Sequence, residues 1–175
     1  MGQENNGTYN EETFLAMEQV VLNKLSQAFQ EAMALRSAGK TEAAEKALLE
    51  ILKLEPRLAE PRIELAHIAF SNGDIEQAES QTRQALNSLR ANGQWTEDLK
   101  PEVLLSYTLN LLGEILISRF NERSVDEDDF TQYETAWNEA ASLFSQAVEV
   151  DPENREARSN VLRFAPVKRS RKSTD

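Results

Sequence analysis

The chain has 175 residues, a formal net charge of −11 and no cysteine. Forty per cent of its residues are hydrophobic, which excludes disorder along the whole chain, and the lack of cysteine excludes disulfides and thiol chemistry. The acidic balance argues against a nucleic-acid partner, because a phosphate backbone would be repelled. Only six glycines and five prolines interrupt the chain, which favours an all-α fold.

The chain begins with a polar, acidic segment that differs from a secretory signal, and residues 1–10 are expected to be disordered. The most apolar window, Val103 to Ile117, is interrupted by several polar side chains and is too short to span a bilayer. These features predict a cytoplasmic protein without membrane insertion. A single helical domain is expected over residues 11–165.

The first predicted helix covers residues 11–38. Its apolar side chains recur at helical spacing without a breaker, at Phe14, Met17, Val21, Leu25, Ala28, Ala32 and Leu35. Thr8 and Glu11 have the spacing of a capping box, which marks the entry to the helix. The N-terminal part of this helix is interpreted either as a packed cap or as an arm through which the chain forms a homodimer.

Two glycines mark an internal period. Gly73 follows Gly39 by 34 positions, and both end a helical run. Several small or apolar residues recur with the same offset, namely Ala32 with Ala66, Ala44 with Ala78, Ile51 with Ala85 and Leu52 with Leu86. A 34-residue period predicts stacked helix–turn–helix units.

A longer helical hairpin is predicted further along the chain, over residues 101–121 and 129–150. Its second arm has a sustained stripe with spacings of three and four, formed by Phe130, Tyr133, Trp137, Ala140, Phe144 and Ala147. The acidic segment Asn121–Asp129 between the arms lacks apolar periodicity and is expected to form the hairpin tip. A capping helix is predicted over residues 153–164, followed by a disordered basic tail, 166–175.

In its period and in the positions of its small residues, the sequence resembles the tetratricopeptide repeat family. The family's small residues match Ala32, Ala44, Ala66 and Ala78, its Leu-Gly pair matches Leu112-Gly113, and its exit matches Asp151-Pro152. The resemblance implies a right-handed α-α superhelix with three repeats, at about 25–58, 59–92 and 101–152. The third repeat would carry the extended hairpin, and 153–164 would be the capping helix.

The family resemblance also implies a binding groove. Family members bind protein segments in a concave groove, and this implies a non-catalytic scaffold or adaptor whose partner is a protein or peptide. The groove positions in this sequence are Phe29, Met33, Ile63, His67, Phe70, Tyr107, Asn110 and Ile117. Phe70 is the expected centre of an apolar strip. The alternative is that some of these side chains belong to the core or are covered by the ends of the chain itself.

Two other functions stay open. A small secretion chaperone of the tetratricopeptide type would hold an apolar client segment, and a self-associating structural protein would use the N-terminal helix. Catalysis is unsupported, because the only histidine, His67, has no partners at the spacing of a metal or base site apart from Glu64. The run Asp126–Asp129 lacks the pattern of a calcium loop. The sequence therefore predicts no enzyme, no cofactor and no metal.

Overall fold

The computed structural model of the protein describes residues 6–91, 99–121 and 130–166. Those residues form seven α-helices and no strand, so the predicted all-α class is confirmed. The helices are α1 (Asn6–Ser37), α2 (Thr41–Leu54), α3 (Glu60–Ser71), α4 (Ile75–Arg90), α5 (Pro101–Asn121), α6 (Phe130–Val150) and α7 (Arg155–Arg163).

The helix bounds follow the sequence pattern closely at the hairpin. The first arm has the predicted bounds, the second begins one residue later than predicted, and α7 lies inside the predicted capping helix. At the N-terminus, α1 begins at Asn6, so residues 6–10 are helical where disorder was expected. That stretch contains no proline, and the helix continues backward past the predicted cap. The predicted acidic tip and the basic residues of the tail lie outside the described residues.

The chain divides into two compact units, the first unit up to Pro56 and the second unit from Arg57 onward. The first unit is the pair α1 and α2. Its core is made by apolar side chains at helical spacing, with Leu25 and Ala32 on α1 and with Ala44, Leu48 and Ile51 on α2.

A glycine with left-handed backbone ends both α1 and α3. Gly39 has φ of 74° and Gly73 has φ of 77°, a region that glycine adopts without steric cost. In each turn, the N–H after the glycine donates to the carbonyl five residues earlier, from Lys40 to Leu35 and from Asp74 to Ala69, both at 2.9 Å. Each bond satisfies a carbonyl that the end of a helix would otherwise leave unpaired. Both turns therefore join consecutive helices by the same short connection.

The second unit has two hydrophobic clusters. The first is shared by α3, α4 and α5, and it includes Ile63, Ala66 and Ile115. The second joins α4, α5, α6 and α7 around Phe144, a fully buried ring on α6. The ring of Phe164, which directly follows α7, stacks on Phe144 with a centroid separation of 5.5 Å. Helix α5 contributes to both clusters and is thus the central helix of the second unit.

Gly113 allows α5 and α6 to approach each other closely. A Cβ atom at this position would lie within 2.9 Å of three atoms of the Phe144 ring. Real Cβ atoms do not sit so near other heavy atoms. The Phe144 ring therefore occupies the space that a side chain at position 113 would need.

Polar side chains of α5 are buried but satisfied. The Thr108 hydroxyl donates to the Leu104 carbonyl, and the Ser106 hydroxyl donates to the Ala147 carbonyl of α6, each at 2.7 Å. These bonds explain how the most apolar stretch of the sequence accommodates hydroxyl groups inside a protein core. Within the described ranges, no helix has both the length and the apolarity that crossing a bilayer requires.

Candidate functional site

The eight side chains predicted to line a groove fall in both units. Phe29 and Met33 lie on α1 in the first unit, where both are half-buried. The other six lie on α3 and α5 in the second unit, and the contacts described below are those within that unit.

Three of these six belong to the interior. Ile63 and Asn110 are 2% exposed and Ile117 is 6% exposed. Ile63 and Ile117 each pack in one of the two hydrophobic clusters. Their side chains are therefore covered and offer no surface to a partner. A prediction from sequence is sensitive to the assumed rotation of the helix, since an error of one residue turns a side chain by about 100°.

His67 and Tyr107 meet between α3 and α5. The Tyr107 hydroxyl and His67 Nε2 share a hydrogen bond, and the two rings are tilted at 39° with centroids 5.6 Å apart. Tyr107 remains 38% exposed and His67 is half-buried. The pair thus links two helices while presenting aromatic surface to solvent.

Val103 extends this surface by one helical turn. It is 37% exposed and lies four residues before Tyr107 on α5. Leu99, four residues earlier again, is also exposed. Neither residue is among the predicted groove positions, although the spacing of Val103 from Tyr107 could have identified it. Leu99 precedes the start of α5 at Pro101, so Val103 and Tyr107 are the exposed apolar side chains at consecutive turns of that helix.

Phe70, the predicted centre of the apolar strip, also contributes to the packing of the second unit. It is half-buried and packs against the cluster that contains Ile63 and Ala66. Its ring supports the α3–α4 hairpin, so a polar substitution there would reduce stability as well as any binding.

Helix α7 covers the next part of the same face of α5. Asn160 Nδ2 donates to Asn110 Oδ1 and to Glu114 Oε1, each at 2.9 Å, and Asn110 Nδ2 donates to Glu114 Oε1 at 3.0 Å. Near the start of α7, Asn154 Nδ2 donates to Ser106 Oγ at 2.9 Å. These bonds attach α7 to α5 and satisfy the buried amides.

Val103, Tyr107, Asn110 and Glu114 succeed each other at spacings of four, three and four, which places them on one face of α5. We call these four residues the α5 stripe. Val103 and Tyr107 are the exposed, mainly apolar part of the α5 stripe. Asn110 is covered by α7, and Glu114 is a partly buried carboxylate. His67 lies beside Tyr107, on α3.

Burial raises the pKa of the Glu114 carboxyl above its usual value. Hydrogen bonds from Asn160 and Asn110 favour the charged form and lower the pKa, while the charge of Glu156 on α7 raises it. The net direction is upward, so the ionised carboxylate is less favourable here than in water.

Glu114→Gln is expected to stabilise the protein at pH 7. Glutamine keeps the oxygen that accepts from both asparagines and removes the buried charge. Because the folded pKa is raised, the folded state holds more protons between the unfolded and folded pKa values, and the free energy of unfolding falls as pH rises through that window. Above it the wild type carries the full cost, which is at most about 1 kcal/mol for a partly solvated charge. Urea unfolding at pH 4 and pH 7 measures the difference.

The matched control is Glu156→Gln, which removes only the neighbouring charge from an exposed position. It should give a smaller gain at pH 7 than Glu114→Gln. A Glu114→Gln protein less stable than wild type at pH 7 would contradict this account of the carboxylate.

A polar cleft lies on another part of the second unit. Its volume is about 370 Å³, and it is lined by side chains of α4, α5 and α6: Arg83, Leu86, Asn87, Arg90, Leu112, Glu139, Ser142, Leu143 and Gln146. Arg83 forms an ion pair across it with Glu139 of α6 at 2.9 Å, and a second one along α4 with Glu79 at 2.8 Å. The pairing with Glu139 raises the pKa of the guanidinium. Arg83 therefore connects α4 to α6 across the cleft.

Among the residues described, no three histidine, aspartate or glutamate side chains are placed to hold a metal ion together. The sequence matches no protein-family model and no curated protein sequence.

Proposed function

We propose that this chain is a tetratricopeptide-like scaffold that binds a segment of another protein on the surface formed by Val103, Tyr107 and His67. In this proposal the helices form three helix–turn–helix repeats of a right-handed superhelix. The third repeat has the lengthened hairpin α5–α6, and α7 is the capping helix. The scaffold has no catalytic role.

The repeat assignment is supported by residues that are 34 positions apart. Ala32 and Ala66 are both fully buried, and so are Ala44 and Ala78. Small residues at these places let the two helices of each hairpin approach closely. The matching turns at Gly39 and Gly73 support the same period.

The observation that carries the binding proposal is the exposure of Val103 and Tyr107 on adjacent turns of α5. Both side chains lie on α5, whose other faces contribute to two hydrophobic clusters. Contiguous exposed apolar surface on a stable helix is typical of an interface. Tyrosine is also among the residues enriched at interface centres, since its ring buries much area and its hydroxyl accepts polar neighbours.

Val103→Asp is expected to abolish capture of the partner while leaving the fold intact. A photo-crosslinking phenylalanine at position 107 should form a discrete covalent product in cells, and Val103→Asp in the same chain should remove it. The charge would be placed in the centre of a contact that excludes water, whereas in the free protein it points to solvent. Mass spectrometry identifies the crosslinked product, and circular dichroism compares the thermal transitions.

Leu162→Asp serves as the matched control, because Leu162 on α7 is 88% exposed and lies outside the α5 stripe. Its crosslinked product should be the same as that of the unsubstituted chain. Equal products from all three chains would reject this surface as the binding site. A loss of stability in Val103→Asp would instead assign Val103 to the core.

A further inference from the structure

Three aromatic rings form a row along the first turns of α6. The ring centroids of Phe130 and Tyr133 are 6.3 Å apart, and those of Tyr133 and Trp137 are 5.6 Å apart. Phe130 is 45% exposed, and the other two side chains are half-buried. We call these three residues the aromatic row. Because each ring contacts the next, the row is one continuous surface whose most exposed end is Phe130.

The chain that leaves α7 is directed towards the aromatic row. Just before α7, Asn154 Nδ2 donates to Ser106 Oγ, and the Ser106 hydroxyl donates to the Ala147 carbonyl near the end of α6. Just after α7, the Ala165 carbonyl accepts from Trp137 Nε1 at 2.8 Å. Between these two points the chain advances along α6 from the level of Ala147 to that of Trp137, which is towards the start of α6. Residues beyond Ala165 that keep this direction pass the other two rings of the row.

The segment that follows, residues 167–175, is basic. It contains one acidic residue, Asp175, and four basic residues: Lys168, Arg169, Arg171 and Lys172. The net charge of the whole chain is −11, so the remainder of the chain is more negative still. Four acidic residues, 126–129, directly precede the aromatic row in the sequence. Opposite charge therefore favours a contact between the segment and this end of α6.

Aromatic rings are suitable partners for the basic side chains. The face of a ring attracts a cation that lies within about 6 Å of its centroid. The structure has one such contact beside the row, since the Arg163 guanidinium lies 5.1 Å from the centroid of the Phe164 ring, which is edge-on to Trp137. Alternate side chains of an extended chain point to opposite sides, and each side of the segment has two of its four basic side chains. Either orientation of the segment thus places cations against the rings.

We propose that segment 167–175 docks on the aromatic row of its own chain, with basic side chains over the rings of Tyr133 and Phe130. Phe130 lies seven residues before Trp137, which is about 10 Å along a helix, and about three residues of extended chain cover this distance. Val167 is the only large apolar side chain of the segment, so cation–ring contacts and charge attraction hold it in place. The docking involves other residues than the proposed binding surface and does not depend on it.

A spin label on the segment tests this proposal, because a nitroxide broadens the NMR signals of the amides near it. The chain has no cysteine, so Ser173→Cys provides one labelling position in the full-length protein. The amide signals of residues 130–137 should be broadened more than those of α3. In 1 M salt this excess broadening should decrease, since the Debye length shortens from about 10 Å at 0.1 M to about 3 Å.

The matched control keeps the length of the segment and removes its positive charge. The four basic residues are replaced by glutamine in the spin-labelled chain, and the excess broadening of residues 130–137 should then be lost. The label stays attached to α7 through the same number of residues, so the difference between the two chains measures docking and not the tether.

A second pair of variants tests the rings. Phe130→Leu keeps an apolar side chain at an exposed position but removes the ring face, and it should reduce the excess broadening. Leu162→Ala removes an exposed apolar side chain of α7 outside the row, and it should leave the broadening unchanged. Circular dichroism checks that both variants keep the thermal transition of the unsubstituted chain.

Three results would overturn the proposal. Broadening of residues 130–137 that persists in the glutamine variant would show that the tether alone keeps the label near α6. Equal broadening across the second unit would show that the segment does not dock. Broadening centred on Val103 and Tyr107 would place the segment on the proposed binding surface, where it would compete with a partner. The first two results leave the proposed function standing, because its crosslinking test does not involve this segment.

Discussion

Gly113→Ala is expected to lower the free energy of unfolding by about 2 kcal/mol, although the same substitution inside an unobstructed helix stabilises by up to about 1 kcal/mol. The added Cβ would lie within 2.9 Å of three atoms of the Phe144 ring. The ring has no room to retreat, because it is fully buried and stacks on the Phe164 ring. Overpacking of this kind costs about 1–3 kcal/mol. For a chain of this size, a loss of 2 kcal/mol lowers the Tm by about 4–8 °C.

The steric origin of this effect can be separated from a backbone effect. In a Phe144→Leu background the space beside position 113 is larger, so Gly113→Ala should then cost less than about 1 kcal/mol. Urea unfolding of the four proteins of this double-mutant cycle gives the coupling between the two positions. A Gly113→Ala protein as stable as wild type would show that α5 and α6 do not approach as closely as described.

Phe144→Ala is expected to destabilise by about 3–5 kcal/mol, the range for removing a fully buried aromatic ring. The ring touches α5 at Gly113 and the chain after α7 at Phe164, so its loss leaves a cavity bordered by three parts of the second unit. The Trp137 ring, which is edge-on to Phe164 at 5.4 Å, would lose support through that residue. In a Trp95→Phe background, which leaves Trp137 as the one tryptophan, the fluorescence should therefore report the loosening of α7 at lower urea concentrations than circular dichroism reports helix loss.

Leu162→Ala is the control for Phe144→Ala. Leu162 is a large apolar residue on α7 that is almost wholly exposed, and its removal should change stability by less than about 0.5 kcal/mol. A Phe144→Ala cost below about 1 kcal/mol would mean that the second cluster does not depend on this ring.

The helices could be predicted well because their signals are local. Pro101 marks the start of α5, and Gly39 and Gly73 mark the ends of α1 and α3, which the structure confirms. The start of α1 at Asn6 differs from the prediction, because the spacing of Thr8 and Glu11 indicates a helix entry, whereas the helix already includes both residues. Local propensity is a weak guide where no breaker ends a helix.

The candidate surface was predicted less well, for a rotational reason. Tyr107 and Ile117 were assigned to one strip, but Ile117 is in the core and Tyr107 is at the surface. Which side of α5 is covered depends on α3, α4, α6 and α7, and no residue within α5 encodes their positions. The Asn160 contact with Asn110 joins residues 50 positions apart, which periodicity cannot reveal. Gly113 is similar, since only the position of Phe144 explains why a glycine is needed.

The amide bonds between α7 and α5 also determine how α7 can fail. Apolar helices can slide along each other with small losses, whereas Asn154 on Ser106 and Asn160 on Asn110 must both keep their partners. Sliding α7 by one turn, about 5.4 Å, would break both contacts together and leave buried amides unpaired. Helix α7 is therefore either held at one position along α5 or released altogether. The exposure of Glu114, which lies next to α7, cannot change in small steps.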